Sequence, residues 1–358
     1  MSAVNAMNAP ARLAALDVLR GMTIMAMLVV NSPGHHGQLS HSKWIGVTFA
    51  DVIFPCFLFM VGITLQLARQ RGALAPRRIA NRAAVLFALG LLVNLIVAHF
   101  QFLRVAGVLQ RIAIVYAVCA LLPVRIGTRG LLALAAALLL GYWMLMSWVA
   151  LPGVPAGALE PGHNLAAWLD QRLLPGTLRR GNWDPEGLLS TMPAIATGLL
   201  GMLSGQILTA ALPLAQRLRL LALGGGAALV AGLGWSVLFP AIKPLWTSSF
   251  VLITAGLSML ALAALCWYTD LRGARRGTHV ATVFGTNAAV AYVMHEALAT
   301  LFTFKASATL SVWLLASQAM QGAGLDSTTT ALLYSAAFVS VCYLPMRELH
   351  RRAIFIKV

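Results

Sequence analysis

Residues 17–62 read DVLRGMTIMAMLVVNSPGHHGQLSHSKWIGVTFADVIFPCFLFMVG. Two apolar runs, one ending at Asn31 and one opening at Val47, enclose a polar loop that holds His35, His36 and His41. A helix of about 20 apolar residues crosses the roughly 30 Å hydrocarbon core of a bilayer, and each run approaches that length. Polar groups gathered where such a pair meets water are rare in an apolar chain and mark the place to look for chemistry. The unit reads as membrane helix, short polar loop, membrane helix, with Asp51 just inside the second helix.

The rest of the chain repeats the unit. Apolar runs fall at about 13–31, 47–68, 83–100, 108–124, 129–150, 188–211, 219–240, 247–268, 280–303 and 329–346, each close to a membrane span in length. Hydrophobic residues make up 59% of the 358 and charged residues 10%, with a mean hydropathy of +0.82. A soluble domain carries about 25% charged residues, so the composition excludes one. The predicted fold is all-α, a polytopic membrane bundle of about ten transmembrane helices. A shorter run of about 14 residues, 307–320, reads as a re-entrant or interfacial helix. With ten spans, most of the 26 Lys and Arg fall on the side that holds both termini, which makes the N- and C-termini cytoplasmic.

The net charge of +16 comes from short basic loops between apolar runs, so it orients a membrane protein and points to lipid, not nucleic acid, as the surrounding partner. A polar leader precedes a long first run with no small-residue cleavage site, so the first helix reads as retained. Cys56, Cys119, Cys266 and Cys342 each lie alone in an apolar run and read as small buried hydrophobes. The chain reads as one membrane domain, 1–358. Its long loop at 151–187, with Pro152, Pro155, Pro161, Trp168 and Trp183, lies on the outer, periplasmic face. Gly198, Gly201 and Gly205 predict close helix packing around the sixth span.

Ionisable groups inside spans usually face a cavity or a partner. Asp17 and Arg20 stand three apart at the inner mouth and are spaced to pair. Asp51, Arg104 and Arg111 fall near the outer side, and His295 and Glu296 lie in the ninth run. Asn287 and His295 are eight apart, about 80° around one helix, so both can border one cavity. In the first loop, His35 and His36 adjoin Pro33, Gly34 and Gly37 and read as turn residues. The three histidines lack the spacing of a helical zinc pair, and no metal is expected. His41, just before Trp44 and the next span, is the candidate general base. The same intramembrane charges also fit a secondary transporter or flippase for a sugar or lipid-linked sugar, although no inverted repeat is evident. A scaffold protein would account for the hydrophobicity but not for the polar groups at the outer ends of spans.

The sequence resembles the heparan-α-glucosaminide N-acetyltransferase family, including its bacterial members that act on amino sugars. The matching pieces are LDVLRGMTIMAMLVVN, HSKWIGVTFADVIFPCFLFMVG, RVAGVLQRIAIVY, DPEGLLSTMPAIATGLLG, PLWTSSF, GTNAAVAYVMHEAL and a basic tail ending in AIFIKV, collinear over nearly the whole chain. The resemblance implies transfer of an acetyl group from cytosolic acetyl-CoA to a terminal glucosamine across the membrane, by a homodimer in a bacterial inner membrane. It places the catalytic pair on His41 and Asn31, and substrate contacts on Trp44, Asp51, Arg104, Asp184, Glu186, Asn287 and His295. Ile45 stands where the family pattern HxxWNG has asparagine, and Ala106 where RxPGVLQR has proline. Coenzyme A phosphates do not enter hydrocarbon cheaply. Arg20, Arg347, Arg351, Arg352 and Lys357 on the basic inner face are therefore the candidate contacts for them. Sequence leaves open whether His41 acts as a base or carries the acetyl group.

Overall fold

The computed structural model describes residues 13–72, 75–123, 126–303 and 311–356. Each of the ten apolar runs contains helix. In chain order these are α1 (Ala14–Val30), α2 (Phe49–Gln70), α3 (Pro76–Val97), α4 (Val108–Leu121) and α5 (Thr128–Trp148), then α6 (Leu165–Leu173), a short helix in the long loop. They continue with α7 (Leu188–Leu208), α8 (Leu214–Trp235), α9 (Ser248–Cys266), α10 (His279–Thr286), α11 (Ala288–Thr303), α12 (Val312–Gly322) and α13 (Ser327–Arg351). Among the described residues, seven helices are long and apolar enough to cross a membrane: α2, α3, α5, α7, α8, α9 with its π-helical extension to Leu271, and α13.

One difference from the sequence reading has a local cause. The run at 280–303 is not one helix, because the chain breaks at Asn287 (φ −127°, ψ 44°) between α10 and α11. In the segment 307–320, residues before Ser311 lie outside the described ones. The remainder belongs to α12, whose Trp313 packs edge-on against Tyr334 of α13 with ring centroids 4.7 Å apart. Lys357 likewise lies outside the described residues.

The helices form an inner and an outer layer. α2, α7 and α9 are mostly buried, whereas α3, α5 and α8 leave most of their apolar surface outward, as a lipid-facing layer does. Backbones approach where glycine removes the side chain. A Cβ on Gly62 would stand 1.9 Å from the Gly198 carbonyl oxygen, and one on Gly201 2.0 Å from that of Phe59, so α2 and α7 are in direct backbone contact. α1 and α10 meet the same way through Gly21 and Gly285. All four cysteines are buried and unpaired.

Helix ends set the loops. α1 stops at Asn31, ahead of Pro33 and of Gly34 at φ +88°. The loop between α5 and α7 carries a small antiparallel hairpin, Leu159–Glu160 with His163–Asn164, followed by α6. It packs over the end of the bundle that carries His41, where Trp44 Nε1 donates to the Leu159 carbonyl at 2.9 Å.

Candidate active site

A cavity of about 1170 Å³ runs beside α1 and α2. Wall residues run along α2 from Asp51 to the capping Arg71, a rise of about 30 Å at 1.5 Å per residue, which matches the hydrocarbon thickness. Its middle is apolar, with Ile24, Met27, Phe57 and Met60 on the wall. One end carries Arg20, Arg71 and Arg82; the other carries Asn31, His41, Lys43, Trp44 and Lys243.

Asp51 organises the second end. It is fully buried, and Oδ2 accepts hydrogen bonds from Ser42 N (3.1 Å), Thr48 N (3.1 Å) and Thr48 Oγ1 (3.0 Å). The Thr48 contacts are the reach-back half of a capping box at the α2 N-terminus, where a carboxylate also meets the positive end of the helix dipole. Oδ1 lies 3.0 Å from His41 Nδ1 and 3.3 Å from Lys243 Nζ. His41 is half exposed, and Nε2 has no protein partner among the described residues. Asn31 at the end of α1 also has a side-chain amide without a protein hydrogen bond among the described residues, and it lines the same cavity. Asp51 thus holds the loop and orients the imidazole.

Lys243 comes from the far side of the sequence. Ile45 and Ile242 form an isolated antiparallel bridge, and Gly46 N donates to Ala241 O at 2.8 Å, which brings Lys243 beside His41. The 241–247 turn is fixed by Trp246 N to Lys243 O (2.9 Å) and by Ile242 N to Thr247 Oγ1 (3.0 Å). Trp246, fully buried, sits at φ +53°, a strained setting that persists only where packing enforces it. Burial pushes the Lys243 ammonium below its ordinary pKa, and the Asp51 carboxylate pulls the other way.

Arg104, Asp184 and Glu186, each given by the resemblance as a substrate contact, meet one another. Arg104 grips Asp184 through Nε (2.8 Å) and Nη2 (2.6 Å) and also bonds Glu186. Burial opposes the charges of both partners; the bidentate contact outweighs it, holding the arginine above and Asp184 below their usual pKa values. Asp184 is enclosed and also accepts from the Arg179 and Glu186 backbone amides, so it anchors the loop, while Arg104 and Glu186 line the cavity. Trp44 stands edge-on to Trp183, 5.1 Å between centroids, and both rings face the cavity. Behind this wall the buried Arg111 donates to Ser190 Oγ and lies 5.0 Å from the Trp246 ring.

The expectation that Asn287 and His295 border one cavity is not met. The break at Asn287 ends the helical phase that related them, and the wall is formed instead by Gly285, Thr286, Ala288, Ala289, Tyr292 and Glu296. Asn287 lies at the opposite end from His41 and clamps the C-terminal segment, donating to Ile354 O (3.0 Å) and accepting from Ile356 N (2.9 Å). His295 is buried edge-on to Phe338, its Nδ1 3.5 Å from the Glu296 carboxylate. At that end Arg20 contacts Asp17 and the Gly285 carbonyl and lines the mouth. Arg347, Arg351 and Arg352 are exposed and off the cavity wall; the last two bond Glu348. Phe355 and Ile356 line the wall in their place. His35 Nε2 meets Ser335 Oγ at 2.7 Å, so it ties the first loop to α13.

A sequence model described as the catalytic region of heparan-alpha-glucosaminide N-acetyltransferase matches residues 12–239. The chain belongs to that family. Human heparan-alpha-glucosaminide N-acetyltransferase is 26% identical over 98% of the chain, and the mouse protein of the same name 26% over 97%. The chain spans about 60% of the length of these relatives. The stretch matched to the family model holds Asn31, His41, Asp51, Arg104 and Asp184; Lys243 and Asn287 lie beyond it.

Sequence reasoning missed Lys243, Arg71 and Arg82 as wall residues. Lys243 directly precedes PLWTSSF, a piece already noted, but only the Ile45–Ile242 pairing shows what it faces. The loop-holding role of Asp51 was readable, because Thr48-x-x-Asp51 ahead of an apolar run is a capping signature.

Proposed function

We propose that the chain is a transmembrane N-acetyltransferase that moves the acetyl group of cytosolic acetyl-CoA to the amino group of a glucosamine-type sugar at the periplasmic face of a bacterial inner membrane. In this reading ten spans leave both termini cytoplasmic. The observation that carries it is one cavity about as long as a bilayer core is thick, with arginines at one end and a His–Asp pair at the other.

The wall fits such a donor. Phosphates stay out of hydrocarbon and need charged donors, which Arg20, Arg71 and Arg82 supply at the mouth. The apolar middle accommodates the slender pantetheine arm, so that the thioester reaches His41. With Nδ1–H donating to Asp51, the His41 lone pair is on Nε2, where it takes a proton from the sugar amine as nitrogen attacks the thioester carbonyl. The Asn31 amide donates to the oxygen that becomes negative there. As the C–S bond breaks, His41 Nε2 passes that proton to the sulfur, so coenzyme A leaves as thiol and the amide remains on the sugar. Trp44 and Trp183 give the acceptor an aromatic wall.

Purified protein given labelled acetyl-CoA and glucosamine should transfer label, and His41→Ala should lower the rate by about 100- to 10,000-fold, the usual worth of a general base. Equal rates in the two proteins would overturn the site. Sugar movement into liposomes without any dependence on acetyl-CoA would favour a transporter.

A further inference from the structure

His41 Nδ1 has two neighbours at 3.0 Å, Asp51 Oδ1 and Lys243 Nζ. A ring nitrogen holds either a hydrogen or a lone pair, so it cannot donate to the carboxylate and accept from the ammonium at once. The two contacts therefore describe two arrangements. In one, Nδ1–H donates to Asp51, Lys243 donates to the same carboxylate oxygen across 3.3 Å, and Nε2 is a base. In the other, Lys243 donates to Nδ1, the ring hydrogen is on Nε2, and the base is lost. We propose that Lys243 is a positioning residue that sets which nitrogen of His41 carries the proton, and that its charge on Asp51 keeps His41 in the base form. This rests on the transferase reading above.

Charge supports the assignment. Asp51 is enclosed, and Lys243 is its only lysine or arginine contact among the described residues. Without that ammonium, the buried carboxylate would take the imidazolium as its counter-ion, and His41 would hold the proton it must release. The other charged groups on this part of the wall are Lys43 on the His41 loop, Arg179, Arg180, and Arg104 with its partner Glu186. None of them contacts Asp51. The bridge through Ile45 and Ile242 gives Lys243 its place without help from substrate.

The test uses the full chain, labelled acetyl-CoA and glucosamine, with rates followed across pH. Lys243→Ala should lower kcat by about 10- to 100-fold, a fraction of what the base itself contributes, with little change in either KM. Its acid limb should move to higher pH by about one unit, because a nearby cation is gone. Lys243→Arg keeps the charge and should hold the limb at its wild-type position, with activity within about tenfold of wild type. Methylammonium should restore part of the Lys243→Ala rate. Wild-type rate and pH profile in Lys243→Ala would overturn the proposal. So would a loss with an unmoved limb that neither Lys243→Arg nor methylammonium repairs. If Lys243→Ala does not fold, Lys243→Arg decides: a loss beyond about 100-fold in that folded protein overturns the proposal. A wild-type protein that transfers no label overturns the transferase reading and this inference with it; the variant outcomes overturn this inference alone.

Discussion

Asn31 ends α1 with a side-chain amide that makes no protein hydrogen bond among the described residues, on the wall shared with His41. An amide held there is placed to donate to a developing oxyanion, and one such donor is worth about 3–4 kcal/mol of barrier. Asn31→Ala should therefore lower kcat by about 100- to 1,000-fold with both KM values nearly unchanged, read in steady-state kinetics. A rise in acceptor KM at constant kcat would assign Asn31 to sugar binding instead. The grouping of Asn31, His41 and Asp51 on one cavity was legible in sequence because they sit on one helix–loop–helix unit, and local spacing governs local contacts. Lys243 was not, since it meets His41 across 202 residues through a pairing of two isoleucines that no spacing rule reveals.

At the scale of elements, helices were legible because apolar runs of membrane length leave the backbone few alternatives to helix. The break at Asn287 was hidden for the same reason: the run stays apolar on both sides, and a polar residue within it reads as a cavity contact. The structure gives Asn287 another task. Its amide closes two hydrogen bonds on the segment at 354–356, which puts Phe355 and Ile356 on the cavity wall at the arginine end. Each bond is worth about 1 kcal/mol, so Asn287→Ala should release the segment and raise the acetyl-CoA KM by about tenfold or more. The acceptor KM and kcat should hold, and amide exchange at 354–356 should quicken. An acceptor KM that rises instead would return Asn287 to the sugar site.

For the molecule as a whole, what matters is that one cavity joins two chemically different ends. The apolar middle rejects phosphate, so in the proposed reading the donor enters from the end with arginines, and the basic groups there divide into two sets. Arg20, Arg71 and Arg82 line the mouth itself, Arg82 over the Tyr116 ring at 5.0 Å. Arg351 and Arg352 stand outside it on the end of α13, where Glu348 already answers their charge. Positive charge on the cytoplasmic side orients any membrane protein, so sequence could not separate anchoring arginines from binding ones. Only the first set lines the cavity. A charge-assisted contact to phosphate contributes about 1.5–3 kcal/mol, and Arg82→Ala should raise the acetyl-CoA KM by about 10- to 100-fold. The double variant Arg351→Ala, Arg352→Ala should change it by less than about threefold, the scale of exposed ion pairs. Acetylated pantetheine without the nucleotide should reverse the comparison, being used at similar KM by wild type and Arg82→Ala. Should the double variant instead carry the larger loss, the phosphates would bind on the outer tail, and the arginines of the mouth would serve only to orient the bundle.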